Sequence, residues 1–450
     1  MKQTAIVWFR NDLRLHDHEP LVRAIADGYQ ILPVFIWEDR WQHQSPNGFL
    51  RMGFHRRRFL SESVHDLKRG LTKLNSNLMY VSGSPVRVLT DLISQYRVSA
   101  LYFYRSPLHE EQADEQALID SLGSTLSICR FWGQSLIHPN DLPVPPDQLP
   151  DQYTAFRELV LGKVPIRQME EMPSTIPTID TPYWGFIPES RTAARTRLTG
   201  GMTAACHRVD DWVWRGDYLK SYKETRNGLT GMDYSSKFSP WMALGCLSAR
   251  QIEFTISRYE KERGENDSTR WMRYELLWRD FFFFMAMKHQ TRLFRLTGLK
   301  GRPVKPDLNP ELLTSWVTGN TGIPLIDSAM RELAATGYMS NRMRQVTASF
   351  LVHDLKQDWR AGAEWFEAQL IDYDACSNYG NWQYIAGVGN DPRPDRVFNV
   401  MKQAREYDGK GEFVFKWIPE ARHLEGSMIH DPASWKLIPN YPPPVVVIAE

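Results

Sequence analysis

The stretch TAIVWFRNDLRLHDHEPLVRAIADGYQILPVFIW, residues 4–37, decides the architecture of the first part of this chain. It opens on a continuous apolar run, Thr4–Phe9, and closes on another, Ile31–Trp37. Runs without polar alternation are what strands buried on both faces require. Between them Pro20–Asp27 follows a helical pattern. The signals repeat downstream, with Leu78–Val81, Ala100–Tyr104 and Leu126–Phe131 reading as strands and Arg56–Leu74, Val86–Tyr96 and Glu111–Leu122 as helices. Such alternation with short connections predicts a Rossmann-like parallel α/β domain over residues 1–138. No GxGxxG follows any strand, so the layout carries no dinucleotide fingerprint.

The pattern then changes. Pro139 to Pro188 holds ten of the 28 prolines and only weak helix signals, which predicts a long connector over 139–200 running across the surface. From about Thr203 the periodicity is helical, over Ser268–Lys288, Leu325–Thr336, Asn341–Lys356 and Ala361–Gln369, with almost no strand signal. Residues 201–450 therefore read as an all-helical domain.

Composition narrows the class. The chain has 450 residues, room for two or three domains, with 42% hydrophobic and 24% charged residues, as in ordinary globular proteins. Lys+Arg is 54 against Asp+Glu 53, which excludes a broadly basic nucleic-acid coater while leaving room for a local basic groove. The longest apolar run, Phe281 to Met287, is far too short to span a membrane, and the start has too short an apolar stretch for a signal peptide. Four scattered cysteines, with no CxxC pair, argue against disulfides or zinc and fit a reducing cytoplasm. A cytoplasmic monomer with no membrane contact and no metal is expected. Eleven of the 16 tryptophans fall between Trp212 and Trp435, as a large aromatic core or as chemistry.

Three segments are dense in polar, aromatic and glycine residues. In Ser235-Ser-Lys-Phe-Ser239-Pro a serine-rich turn enters a helix, which suits either a phosphate site or a plain N-cap. Glu275, Trp278 and Arg279 share a helix face, as they would around a planar heteroaromatic ligand or as a surface ion pair beside a core tryptophan. In Asp372-Tyr-Asp374-Ala-Cys-Ser-Asn378-Tyr-Gly-Asn-Trp382 the amide and the indole stack on one side of a helix, and the carboxylate spacing fits no standard calcium loop.

Taken together and in order, these segments resemble the photolyase/cryptochrome family, most closely its DASH branch. The likeness runs through WFRNDLRLHD (8–17), YKETRNGL (222–229), DYSSKFSPWMALGCLS (233–248), ELLWRDFF (275–282), TGIPLIDSAMRELAATGYMSNR (321–342), DYDACSNYGNW (372–382) and GNDPR (389–393). The resemblance implies FAD inside the helical domain. Tyr222, Ser235, Ser236, Lys237, Phe238 and Ser239 would hold its phosphates and ribityl chain. Glu275, Arg279, Arg344, Asp372, Asp374 and Asn378 would line its rings, with Asn378 at the flavin N5. Trp382, Trp359 and Trp316 match an electron relay ordered from flavin to surface.

The implied activity is that of a deoxyribodipyrimidine photo-lyase, in which excited reduced FAD lends an electron to a cyclobutane pyrimidine dimer and takes it back. The dimer must leave the base stack to reach the flavin. By the same resemblance Glu275, Trp278, Asn341, Arg342, Gln345 and Tyr384 would meet the flipped bases, and Arg226, Lys402 and Gln403 the DNA backbone. Tyr384 and Gln345 stand where duplex-repairing relatives carry Trp and Met, which implies a preference for single-stranded or looped DNA. Met343, Gln383 and Phe283 depart from the branch pattern. The resemblance also allows a 5,10-methenyltetrahydrofolate antenna, with Glu110 as its carboxylate contact, although an exposed acidic helix start explains Glu110 equally well. The competing function is a blue-light photoreceptor with little or no repair. The expected end of the chain, about 50 residues past the last motif, lacks the long tail of signalling relatives. Repair of (6-4) lesions is disfavoured by Ser340-Asn341-Arg342 at the rim, where that branch has a histidine pair.

Overall fold

The structure is a computed structural model and describes residues 3–188, 198–307, 309–393 and 396–448. Five strands, β1 (Thr4–Phe9), β2 (Gln30–Glu38), β3 (Met79–Gly83), β4 (Val98–Tyr104) and β5 (Ser127–Phe131), form one parallel sheet in the order β3-β2-β1-β4-β5. The helices between them are α1 (Glu19–Ala26), α2 (Phe54–Lys73), α3 (Pro85–Tyr96) and α4 (His109–Leu122). The unbroken apolar runs have a simple cause. On β1, Ile6 and Trp8 pack with Leu89 and Leu118 of α3 and α4, while Ala5, Val7 and Phe9 join a second core that continues into the helical domain. With both faces covered, no position is left for a polar residue. The chain leaves β1 and β4 on the same edge of the sheet, and Arg10 and Ser106 there border a cleft against the helical domain.

The connector departs from the expected surface path. It contains helix α5 (Tyr153–Val160), and Leu149, Phe156, Val160, Ile176 and Ile187 are buried. Prolines hold much of the rest extended, and the apolar residues among them supply the anchors. At the start of β2, before its pairing with β3 begins, Thr178 bridges Ile31, whose N–H donates to Pro177 O at 2.6 Å.

The rest is helical: α6 (Met202–Val209), α7 (Tyr222–Thr225), α8 (Ser239–Ala243), α9 (Ala249–Arg263), α10 (Asp267–His289), α11 (Pro310–Thr318), α12 (Pro324–Thr336), α13 (Asn341–Ser349), α14 (Trp359–Gln369), α15 (Ala375–Ile385) and α16 (Val400–Tyr407). Helix α10 begins with a reciprocal cap between Asn266 and Thr269. The helix expected over 341–356 stops at Ser349 and opens into a wider turn, Phe350–Asp354, in which Leu355 N–H reaches Phe350 O at 2.9 Å. Lys356, at φ +54°, ends it. Two glycines allow close helix approach. A Cβ on Gly362 would lie 2.1 Å from the Trp382 ring, and one on Gly380 2.3 Å from the Phe282 ring. No helix among the described residues is long and apolar enough to cross a membrane.

Candidate functional site

A cavity of about 290 Å³ opens inside the helical domain, between α10, the turn at 235–239, Tyr338, α13 and the 372–374 segment. Tyr222, Ser235, Ser236, Lys237, Phe238, Ser239, Glu275, Arg279, Arg344, Asp372 and Asp374 all line it. A smaller recess of about 100 Å³ continues from it, shares Asn341, Arg344, Asp372 and Asp374, and adds Gln345, Asn378, Trp382 and Tyr384. Three motifs far apart in sequence thus face one space.

Its charges are not mutually satisfied. Asp372 Oδ2 accepts from Arg344 Nη2 at 2.8 Å and from Ser239 Oγ at 2.7 Å, while Asp372 Oδ1 is buried with no partner. Lys237 is 4% exposed, and no carboxylate among the described residues forms an ion pair with it. Its ammonium lies 3.3 Å from the Tyr234 ring centre and 4.6 Å from that of Tyr338. Burial pushes the Lys237 pKa down to about 7. The Lys237 backbone is left-handed, φ +57°, and is followed by Phe238 in the right-handed region, an alternation that turns successive N–H groups towards one side. Helix α8 has only five residues, so the anion-binding character of this turn comes from Lys237 and local N–H groups rather than from a helix dipole. An anionic group for Lys237 and a donor for Asp372 Oδ1 are what this cavity lacks. A flavin dinucleotide, with its phosphates and ring N–H, fits both. Tyr234 and Tyr338 were not legible as site residues, although Tyr338 lies within the TGYMSNR segment.

At the mouth, Glu275 Oε1 accepts from Arg226 Nη1 at 2.8 Å and from Trp271 Nε1 at 2.9 Å, and Oε2 has no protein partner among the described residues. Burial pushes the Glu275 carboxyl above its ordinary range despite the pull of Arg226 and Trp271. Trp278 and Tyr384 meet edge to face at 5.7 Å. Arg342 lies outside both cavities, near Gln403 and Asn227 and 4.6 Å from the Tyr407 ring centre. Lys402, exposed on α16, neighbours Gln403. The three departures from the branch pattern all point elsewhere. Met343 is fully buried, Phe283 packs on Trp132, and Gln383 Nε2 donates to Leu293 O at 2.7 Å while its Oε1 accepts from Leu299 N–H at 3.1 Å. None of the three borders either cavity.

Asn378 Nδ2 donates to Ala363 O at 3.0 Å, which leaves its oxygen and its second N–H for the recess. Trp382 borders the same recess. The expected order of tryptophans is not what the packing shows. Trp316 is fully enclosed and sits 6.2 Å from Trp382, with Phe366 stacked on it at 6.0 Å, so it does not end at the surface. Trp359 is also buried, against Tyr379 at 6.1 Å.

Glu110 lies in the inter-domain cleft, a space of about 660 Å³. Both its oxygens accept from Arg51, at 3.0 and 2.9 Å. Its neighbour Glu111 also borders the cleft, where burial and Glu38 push its carboxyl up to about 7.

Comparison with known proteins agrees with this geometry. The family model described as DNA photolyase matches residues 5–177, and that described as the FAD binding domain of DNA photolyase matches residues 271–450. Cryptochrome DASH of Gloeobacter violaceus is 43% identical over 467 residues, covering 99% of this chain and 93% of the relative. The crystal structure of a Synechocystis sp. cryptochrome superposes with a TM-score of 0.94 at 43% identity, covering 99% of this chain and 97% of the other. That of a class III photolyase from Agrobacterium tumefaciens gives 0.85 at 29% identity, covering 99% and 95%. With full-length relatives at this identity and both family models matched, the chain belongs to the photolyase/cryptochrome family, among the DASH cryptochromes, and carries that family's FAD-binding domain.

Proposed function

We propose that this protein is a blue-light-dependent photo-lyase that repairs cyclobutane pyrimidine dimers, preferentially in single-stranded or looped DNA. The observation that carries the reading is the mouth of the cavity. Glu275 keeps one oxygen free, at a wall made by Trp278 and Tyr384 and on the lining of the central cavity. FAD, when bound, supplies the light-driven electron. Tyr222, Ser235, Ser236, Lys237, Phe238 and Ser239 hold its phosphates and ribityl chain, while Arg279, Arg344, Asp372 and Asp374 fix its rings. Asn378 presents an acceptor and no acidic proton, so it orients the flavin edge without protonating it. Glu275 and Asn341 hydrogen-bond the flipped bases, Gln345 completes the rim, and Arg226, Arg342, Lys402 and Gln403 meet the phosphates. Trp382, at the recess, is the first member of the electron relay; Trp316 packs against it and Trp359 lies against Tyr379, so the exit to the surface runs through a further group. An antenna of the methenyltetrahydrofolate type would occupy the cleft, where Glu110 would reach it paired with Arg51. A near-ultraviolet band in the purified protein tests that part.

The substrate preference follows from energy. Flipping a dimer out of a duplex costs a few kcal/mol, and base–aromatic stacking returns roughly 1–3 kcal/mol per base. Tyr384 and Gln345, in place of larger or less polar side chains, reduce that return by about 1–2 kcal/mol, or roughly tenfold in duplex binding. With reduced flavin and blue light, dimers in single strands should be repaired clearly faster than in duplex, and Tyr384→Trp with Gln345→Met should shift repair towards duplex. Equal rates on both substrates in the unaltered protein would refute the preference. Trp382→Phe should leave FAD bound and stop photoreduction. A second reading, a photoreceptor with little repair, is favoured by one contact, the Arg226–Glu275 pair that already engages the carboxylate. Photoreduction without repair of either substrate would decide for it.

A further inference from the structure

From the stack described below we infer that Tyr153, in the inter-domain connector, is a positioning residue for the dimer-binding wall, acting through Trp278. The inference rests on the repair reading above and adds a part of the chain that neither cavity touches. Tyr153 lies on Trp278 with ring centroids 3.6 Å apart and planes 9° apart. It is 8% exposed and borders neither cavity, so it covers the back of a ring that borders the central one. Its hydroxyl donates to Tyr274 O at 2.8 Å. In α10 that carbonyl is also the acceptor one helical turn before the Trp278 N–H. A single side chain therefore holds both the indole face and the backbone turn that carries it.

The segment around Tyr153 is anchored on both walls. Asp151 pairs with His289 at 2.7 Å and Lys288 at 3.0 Å, at the end of α10. Its carbonyl accepts from Asn390 Nδ2 at 2.8 Å, five residues beyond the end of α15, the helix that carries Tyr384. Phe281 meets the Trp278 ring edge-on at 5.8 Å, and Phe282 lies against it at 5.6 Å. The indole is thus stacked on Tyr153 and crowded by two phenylalanines, which restricts the orientation it presents to a base. Ordinary core packing would need the ring of Tyr153 but would give it no bearing on which DNA is bound.

The test uses the full-length, FAD-loaded protein and a single-stranded oligonucleotide with and without one thymine dimer. Tyr153→Leu and Tyr153→Met remove the aromatic face, and Tyr153→Phe keeps it. Removing a stacked aromatic pair should weaken binding of the dimer strand roughly 2- to 12-fold. Binding of the undamaged strand, FAD content and photoreduction should stay unchanged, and Tyr153→Phe should restore most of the loss. Dimer binding at the unaltered level in both Leu and Met variants overturns the inference, as does an equal loss on damaged and undamaged strands. A crystal structure of either variant gives a reading that needs no DNA: an unmoved Trp278 ring overturns the inference and a turned one supports it. Failure of the unaltered protein to prefer the dimer strand would instead count against repair itself.

Discussion

The cavity of the helical domain and the cleft between the two domains are both lined with charge, and they dispose of it in opposite ways. In the cleft most of the charge is paired, the Glu111 carboxyl, pushed up to about 7 by burial and by Glu38, being an exception. Arg51 pairs with Glu110 and Glu367, and Arg40 with Glu38 and Asp114. In the central cavity Lys237 faces two aromatic rings, and one oxygen of Asp372 faces nothing. Burying a charge without a partner is expensive, so the second arrangement is stabilised by a complementary ligand. The cleft is closer to self-sufficient than the cavity. FAD should therefore stabilise the helical domain more than an antenna stabilises the cleft.

Breaking the Arg344–Asp372 pair should have the largest effect. Asp372→Asn leaves the guanidinium without its counter-charge and should lower stability by about 3 kcal/mol in urea unfolding, with loss of bound FAD. Retained FAD and unchanged stability would show that the cavity is less committed than its geometry implies. Lys237→Met comes next. It should weaken FAD binding by about 1.5–3 kcal/mol, roughly 10- to 100-fold, while making the cofactor-free protein more stable.

The same lysine supplies a pH signature. Its folded pKa of about 7 lies below the unfolded value, so between these two values the unfolded chain binds the extra proton. The cofactor-free protein should therefore gain stability from this group as pH rises from about 7 to about 10, and below about 7 the contribution should be flat. Both FAD loading and Lys237→Met should remove that slope in thermal melts recorded across the range. The smallest effect is expected in the cleft. Glu110→Gln breaks a partly exposed pair and should change stability by less than about 1 kcal/mol with FAD content unaltered. A larger loss would mean that the cleft depends on its ion pairs as the cavity depends on its cofactor.

The two regions also differ in how far they could be read in advance. The serine-rich turn, the Glu275 face and the Asp372–Trp382 segment announce the central cavity, because each packs its functional groups within a few residues on one turn or helix face. Glu110 is equally visible, yet whether it is free or bound to Arg51 depends on the approach of the segment just before α2, from another part of the chain. The connector, expected to run over the surface with room to pack on both domains, is legible only in part for a related reason. Its prolines report an extended backbone, but not whether the apolar residues between them find a surface to bury against.

The residues by themselves determined the parallel sheet, since a strand covered on both faces must be apolar between its ends, and β1 and β2 are. They determined the helical second half, since this is a matter of local periodicity, while the cofactor and substrate roles of its polar faces came from the resemblance to a family and not from the pattern. Only the tertiary structure decided that Trp316 is enclosed rather than exposed, that Gln383, Met343 and Phe283 turn away from the cavity, and that Tyr153 backs Trp278. In each case the deciding partner comes from another element, and side-chain packing between elements leaves no periodic trace in the sequence of either.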